Sequence, residues 1–338
     1  MPVKTRFDLP RMKQSAVDRI RDGAPSLERE LHQRDARLEV VPGSVLGGRY
    51  RIHRAIGAGG MAYVYEARDL KTRSEVAVKV LAPSPDPTLV KRFHREALAA
   101  TAVRSEHVCR VHHLGFESGT PFIVMERLHG QTLRTWLDTH GALSLREATF
   151  VICQLLDALQ ATHAAGVIHR DVKPGNVFLP AVQRDAPPAA KLIDFGLAKI
   201  TGQSELNLGL APQQEELTTA ECVVGTLSYL PPERLLGIGD LDERSDVYAA
   251  GLCLYETLTG QRAFKGSYAE VVHEIVLGEP LRITSFRPEL PRVLDDVLAM
   301  AMARAKDRRF ASALAFKRAL LAAVQYDRRE GPSGRVRV

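Results

Sequence analysis

The chain has 338 residues, 45% of them hydrophobic and 25% charged, enough for one large domain or two lobes sharing a cleft. Its net charge of +6 is not gathered into a dense Lys/Arg block, and no RNA-binding aromatic motif is present, so no nucleic acid is expected as partner. No apolar run reaches the ~18 residues of a membrane span, and charges break the N-terminal stretch where a secretory signal carries its apolar core, so a cytoplasmic location is expected.

Residues 1–48 lack a sustained apolar period and mix both charges with Pro and Gly breaks, which predicts a flexible or loosely helical extension. From Tyr50 the pattern becomes strand-like. Residues 50–60 enter a glycine turn, 61–69 alternate, and 74–82 form a third strand. Helical spacing follows over 89–103, through Leu89, Phe93, Leu98 and Val103, and two more strands fall at 110–116 and 121–128. Five strands and one helix make a small lobe over 49–128.

Helices dominate from Leu133. Long helices are predicted over 146–166 and 245–260, each closed by a glycine, Gly166 and Gly260, and two more over 288–304 and 311–325. Residues 167–179 and 191–199 read as strands bearing polar loops. The stretch 201–217 is polar and irregular, and 180–190 is an extended connection rich in Ala and Pro. The basic tail 326–338 is predicted to be disordered. Cys109, Cys153, Cys222 and Cys253 are scattered and fit reduced thiols better than a disulfide framework or zinc site.

Four clusters carry chemistry. Gly57-Ala58-Gly59-Gly60 lets backbone N–H groups approach phosphate oxygens, although a plain turn has the same look; an alternating strand follows it, which argues against a dinucleotide fold. Lys79 ends the apolar run Val76-Ala77-Val78 and suits the cation that phosphoryl transfer needs on the α/β-phosphates, with Glu96 on the following helix as its carboxylate partner; a solvated lysine and a surface glutamate are the plain alternatives. In His169-Arg170-Asp171-Val172-Lys173-Pro174-Gly175-Asn176, Asp171 suits a base for an attacking hydroxyl, Lys173 a neutraliser of the transferring group, and Asn176 an oxygen ligand for magnesium. Asp194, in Asp194-Phe195-Gly196, suits a second such ligand.

In this order, with Gly225-Thr226, Pro231-Pro232-Glu233, Asp246 and Arg309 following, the chain resembles the eukaryotic-like Ser/Thr protein kinases of bacteria over about residues 49–325. The resemblance implies an α+β, bilobal fold with a small five-stranded antiparallel lobe, a larger helical lobe over 129–325 and an activation segment over 194–233. It implies ATP with Mg2+ or Mn2+ as cofactors, protein substrates carrying Ser or Thr, and pairing into a homodimer for trans-autophosphorylation. Adenine would lie among Ile56, Val64, Ala77 and Phe178, with Ile193 flanking the pocket. Gly57 and Gly59 would lie at the phosphates, Met125 would be the gatekeeper, and the backbone of Glu126 and Leu128 would meet the base edge. Phe195 and His169 would stack in a spine, with Gly196 closing the tripeptide.

By the same resemblance Glu233 and Arg309 form a buried ion pair, Asp246 holds the catalytic-loop backbone, and Thr226 contacts Asp171 and Lys173. Arg170 would pair with a phosphate on Thr218 or Thr219; Ser204, Thr201 and Ser228 are nearby alternatives. Lys173 and Gly225-Thr226 are of the Ser/Thr rather than the tyrosine type. Ala62 and Pro231 depart from the usual residues of the glycine loop and the Pro-Glu motif. Two other readings are a nucleotide-binding scaffold with little turnover, whose usual sign is a missing Lys, Asp or Asn, and a small-molecule phosphotransferase, which generally lacks the peptide-docking segment.

Overall fold

The computed structural model describes residues 40–59, 62–81, 101–181, 190–194, 227–238 and 241–330. They fall into two compact units. One takes in the described residues through Thr101 together with Arg110–Leu128, and the other takes in Ala102–Cys109 and the described residues from His129 onward.

The first unit is an antiparallel sheet of six strands: β1 (Val45–Leu46), β2 (Tyr50–Gly59), β3 (Ala62–Asp69), β4 (Glu75–Leu81), β5 (Val111–Glu117) and β6 (Thr120–Glu126), in spatial order β1-β2-β3-β4-β6-β5. Alternation sorts the strands' side chains onto two faces. One face is the core: Tyr50, Ile52, Tyr65, Ala67, Val76, Val78, Val80, Phe122 and Val124 are buried together with Leu46. On the other face the register sets Val64 beside Lys79 and Lys79 beside Ile123, then Glu66 beside Ala77 and Ala77 beside Met125. Between β5 and β6, Ser118 and Gly119 both take positive φ, 49° and 81°, the conformation a two-residue hairpin turn requires. Asp69 anchors the β3–β4 turn: it accepts from the Lys71 amide at 2.9 Å and holds the Arg49 guanidinium at 2.8 and 2.6 Å.

The second unit is helical: α1 (Leu133–His140), α2 (Leu145–Ala164), α3 (Pro232–Leu236), α4 (Glu243–Thr259), α5 (Tyr268–Leu277), α6 (Val293–Ala301) and α7 (Ala313–Glu330). A small sheet, β7 (Gly130–Thr132), β8 (Val177–Pro180) and β9 (Lys191–Leu192), joins them. A reciprocal box starts α2, with the Glu147 amide donating to the Ser144 hydroxyl and the Glu147 carboxylate accepting from the Ser144 amide. Asp242 caps α4, and Gly260, at φ 70°, ends it. Residues Ser245 through Leu258 of α4 are all buried, so it forms the axis of the unit, packed by α2, α6 and α7. Among the described residues no helix is long and apolar enough to cross a membrane.

The strands expected at 50–60, 61–69, 74–82, 110–116 and 121–128 and the four long helices of the second unit form near the expected places. Two boundaries move. The structured sheet begins before residue 49, because Val45–Leu46 pairs with β2 and buries Leu46, which makes six strands rather than five. A two-residue edge strand carries no readable period. At the other end α7 runs to Glu330, beyond the tail boundary of 326, since no Gly or Pro intervenes before Gly331. The helix expected over 89–103 lies outside the described residues except for Thr101, Ala102 and Val103; the first two are helical and Val103 is not.

Candidate active site

The loop between α2 and β8 is held from below by one buried carboxylate. Asp246, in the first turn of α4, accepts the His169 amide on Oδ2 and the Arg170 amide on Oδ1, both at 2.8 Å. The same Oδ2 accepts from His163 Nε2 at 2.8 Å, and both side chains are all but inaccessible. Arg170 is thereby kept at φ 64°, a left-handed conformation costly for a residue with a side chain. Its carbonyl accepts from Arg234 Nη1 at 2.7 Å. A carboxylate with three donors and no exposure is a positioning device, fixing the backbone that carries the next residues.

His169 is fully buried and bridges two segments. Its Nδ1 accepts the Asp171 amide at 3.3 Å, and its Nε2 lies 3.2 Å from the Ile193 carbonyl, so the partners assign the proton to Nε2. Burial depresses its pKa, in keeping with a neutral ring.

Asp171 then receives two cationic or polar neighbours. Lys173 Nζ is 3.0 Å from its Oδ2, and Asn176 Nδ2 donates to its Oδ2 at 2.8 Å and its carbonyl at 2.7 Å. Both of these Asn176 bonds use the amide nitrogen, which leaves the direction of Oδ1 defined. Pro174–Asn176 form a single 3-10 turn that delivers Asn176 to the start of β8. The Ile193 amide donates to the Asn176 carbonyl at 2.9 Å, so Asp194, at φ 53° just past β9, follows directly on the strand neighbour of Asn176. One carboxylate and one amide oxygen at the adjoining ends of β8 and β9 suit magnesium, a hard cation that takes one or two carboxylates and draws its other ligands from water and phosphate. Among the described residues no group of three or more His, Cys, Asp or Glu side chains could hold a metal unaided. Phe178 lies on β8, opposite Thr132 and Lys191.

In the same unit Glu233 receives Arg309 through two hydrogen bonds, and Ser245 Oγ donates to it at 2.9 Å. The Arg309 guanidinium also lies over the Tyr248 ring, 4.7 Å from its centroid.

In the sheet unit, Lys79 sits on β4 on the face of Val64 and Ala77, and Met125 and Glu126 end β6, with Leu128 following. The Glu126 side chain accepts the Arg110 amide at 2.8 Å and its own amide donates to the Arg110 carbonyl at 2.9 Å, which pins the strand end. Ile56 falls at a register shift in β2, next to Gly57. A Cβ on Gly57 would meet only Val64, at 3.6 Å, an ordinary contact. Within the sheet, packing therefore does not demand glycine there. Gly59 pairs with Ala62 across the turn. Glu96, Phe195, Gly196, Thr226, Thr218, Thr219, Thr201, Ser204 and Cys222 lie outside the described residues.

A protein kinase domain model matches residues 50–317. The chain belongs to the protein kinase family. Curated relatives of this kinase domain include the probable serine/threonine-protein kinase PknB of Bifidobacterium longum, 36% identical over 83% of this chain and 40% of that protein. Serine/threonine-protein kinase Pkn1 of Myxococcus xanthus is 37% identical over 82% of the chain and 38% of its own length. Serine/threonine-protein kinase PknB of Mycobacterium tuberculosis is 37% identical over 80% and 42%. The kinase domain chain thus spans about two fifths of the length of the relatives it matches.

Several residues of the kinase domain that hold its site together carry no motif. His163 is one; its signal is a histidine on a largely apolar helix, which when buried must find a partner. A second group is the cluster of Arg134, Tyr229 and Glu256. Glu256 is 1% exposed, accepts from Arg134 Nη1 at 2.5 Å and also takes the Tyr229 hydroxyl. Burial, then the Glu256 charge, raises the Tyr229 pKa well above the ordinary value, so the phenol stays protonated as the donor.

Proposed function

We propose that this chain is a Ser/Thr protein kinase that transfers the γ-phosphoryl group of ATP to protein hydroxyls. The observation that carries the reading is the Asp171 carboxylate, with Lys173 Nζ at 3.0 Å and Asn176 Nδ2 at 2.8 Å, on a backbone clamped by Asp246. Asp171 orients the substrate hydroxyl and takes its proton as the oxygen attacks phosphorus. Lys173 balances charge on the phosphoryl oxygens, and its 3.0 Å contact with Asp171 fixes the carboxylate's orientation. Lys79, with Glu96 as its carboxylate, steadies the α/β-phosphates. Asn176 and Asp194 would hold magnesium, which when bound neutralises phosphate charge.

That packing does not demand glycine at position 57 supports the phosphate role of the glycine turn, since a side chain there would intrude on the approach of phosphate oxygens to backbone N–H groups. Ile56, Val64, Ala77 and Phe178 would enclose adenine, with Met125 behind it and Glu126 and Leu128 at its edge. A phosphate on Thr218 or Thr219 would pair with Arg170, and a second copy of the chain would be the partner for its transfer.

The test is incubation of the chain with magnesium and labelled ATP beside Asp171→Asn, with phosphate mapped by mass spectrometry. Label on Thr218 or Thr219 in the wild type alone is the expected result. Nucleotide binding without label on the chain or on a generic basic substrate would overturn the reading in favour of a scaffold.

A further inference from the structure

We infer that Arg127 is a specificity-determining residue for the nucleotide base, tuning the chain to adenine against purines that carry an amino group at C2. This inference rests on the nucleotide reading above.

The segment Glu126–Leu128, which begins at the last residue of β6, offers three backbone groups in sequence: the Glu126 carbonyl, the Leu128 amide and the Leu128 carbonyl. They are an acceptor, a donor and an acceptor. The edge of adenine supplies only two complements, the donating 6-amino group and the accepting N1. Its third position is a C–H, which leaves the Leu128 carbonyl without a strong partner. A 2,6-diaminopurine edge supplies all three.

In this chain the third acceptor is already taken. Arg127 Nη1 donates to the Leu128 carbonyl. The guanidinium is not loose. Its Nε and Nη2 donate to Glu66 Oε2 at 3.1 and 2.9 Å, and Arg54 Nη2 reaches the same oxygen at 2.8 Å. The Arg127 and Glu66 side chains are only 14% and 15% exposed, so the pair is shielded from water and geometrically fixed. Burial works against a charge on Glu66, yet the hydrogen bond from Arg127 and the charges of Arg54 and Arg127 hold its carboxyl below the usual carboxylate range. Glu66 stands opposite Ala77, and Ala77 opposite Met125, so this clamp lies on the sheet face that carries the residues assigned to adenine. Nothing in the helical unit is needed to form it.

An adenine base therefore meets a strip whose surplus acceptor is satisfied from within. A 2-amino group must compete with Arg127 for that oxygen, crowding a guanidinium that is held in a confined place.

The experiment measures dissociation constants of ATP and of 2,6-diaminopurine riboside triphosphate, both with magnesium, by calorimetry on the whole chain. In the wild type the diaminopurine nucleotide should bind no tighter than ATP. In Arg127→Met it should gain about fivefold relative to ATP, the worth of one hydrogen bond. Arg127→Lys keeps the charge without the fork and should shift the ratio in the same direction. It carries the test if thermal melting finds the methionine variant unfolded. Diaminopurine binding about fivefold tighter than ATP in the wild type, or a ratio identical across folded variants, would overturn the assignment while the nucleotide reading stood. A wild-type chain that bound neither nucleotide would remove both.

Discussion

Arg309 and Glu233, 76 residues apart, meet through two parallel hydrogen bonds, Nη1 to Oε1 at 2.9 Å and Nη2 to Oε2 at 2.7 Å. The Arg309 side chain has no solvent exposure and that of Glu233 has 9%. Removing the cation leaves a buried carboxylate without its partner. Arg309→Met should lower stability by about 3–5 kcal/mol, read as a fall in the denaturant midpoint, because one charge of a buried pair is then uncompensated. A double variant, Arg309→Met with Glu233→Gln, should recover part of that loss.

Asp246 predicts a separation of activity from stability. Asp246→Asn replaces one accepting oxygen by an NH2 group, which then faces donors from His169, Arg170 or His163. The loop carrying Asp171 loses its fixed placement. The turnover rate should fall by about 100-fold, in line with small misplacements of a catalytic group. Steady-state phosphotransfer beside a melting curve checks this; an unchanged rate in a folded variant would refute the positioning role.

Gly115 stands opposite Phe122 in the β5–β6 pair, and a Cβ there would lie within 2.2 Å of the ring. Phe122 is 1% exposed and packed by Tyr50 and His113, so it has little room to yield. Gly115→Ala should cost about 1–3 kcal/mol through overpacking. Shortening the ring in Gly115→Ala/Phe122→Leu should return some of it, which urea unfolding of the single and double variants would reveal.

The pH dependence follows from four carboxylates. The Arg49 hydrogen bond lowers the Asp69 pKa far below the carboxylate range. For Asp242, Glu66 and Glu233 burial opposes ionisation, but arginine partners win; Asp242 is brought to about 2 and the other two are lowered. Each group binds fewer protons folded than unfolded, so it stabilises the fold above the unfolded values of about 4. That stabilisation is lost as pH falls through the folded values. The melting temperature should hold level down to about pH 5 and drop steadily between about pH 4 and pH 2. A melting temperature that rose on acidification through this window would contradict the pairing.

Local order was legible in the sequence. Strand-like patterning marked 50–60, 61–69 and 74–82, long apolar runs closed by glycine marked helices at 146–166 and 245–260, and Gly260 does end the latter helix through its left-handed φ of 70°. These features depend on neighbours within a few residues, so a short window contains their cause. The order of Lys79, Asp171, Asn176, Asp194, Glu233, Asp246 and Arg309 was also enough to point to the family, because each phosphoryl-transfer task needs its own residue type.

The tertiary structure decided who meets whom. Asp246 lies 77 residues from the amide of His169 that it accepts and 83 from His163, and Arg127 lies 61 from Glu66. Tyr229 and Arg134 share Glu256 without any periodic sign that they do. The two-residue strand Val45–Leu46 owes its existence to pairing with β2 and burial of Leu46. Partner choice among buried polar groups is fixed by packing and by the cost of leaving any one unsatisfied, and neither acts along the chain.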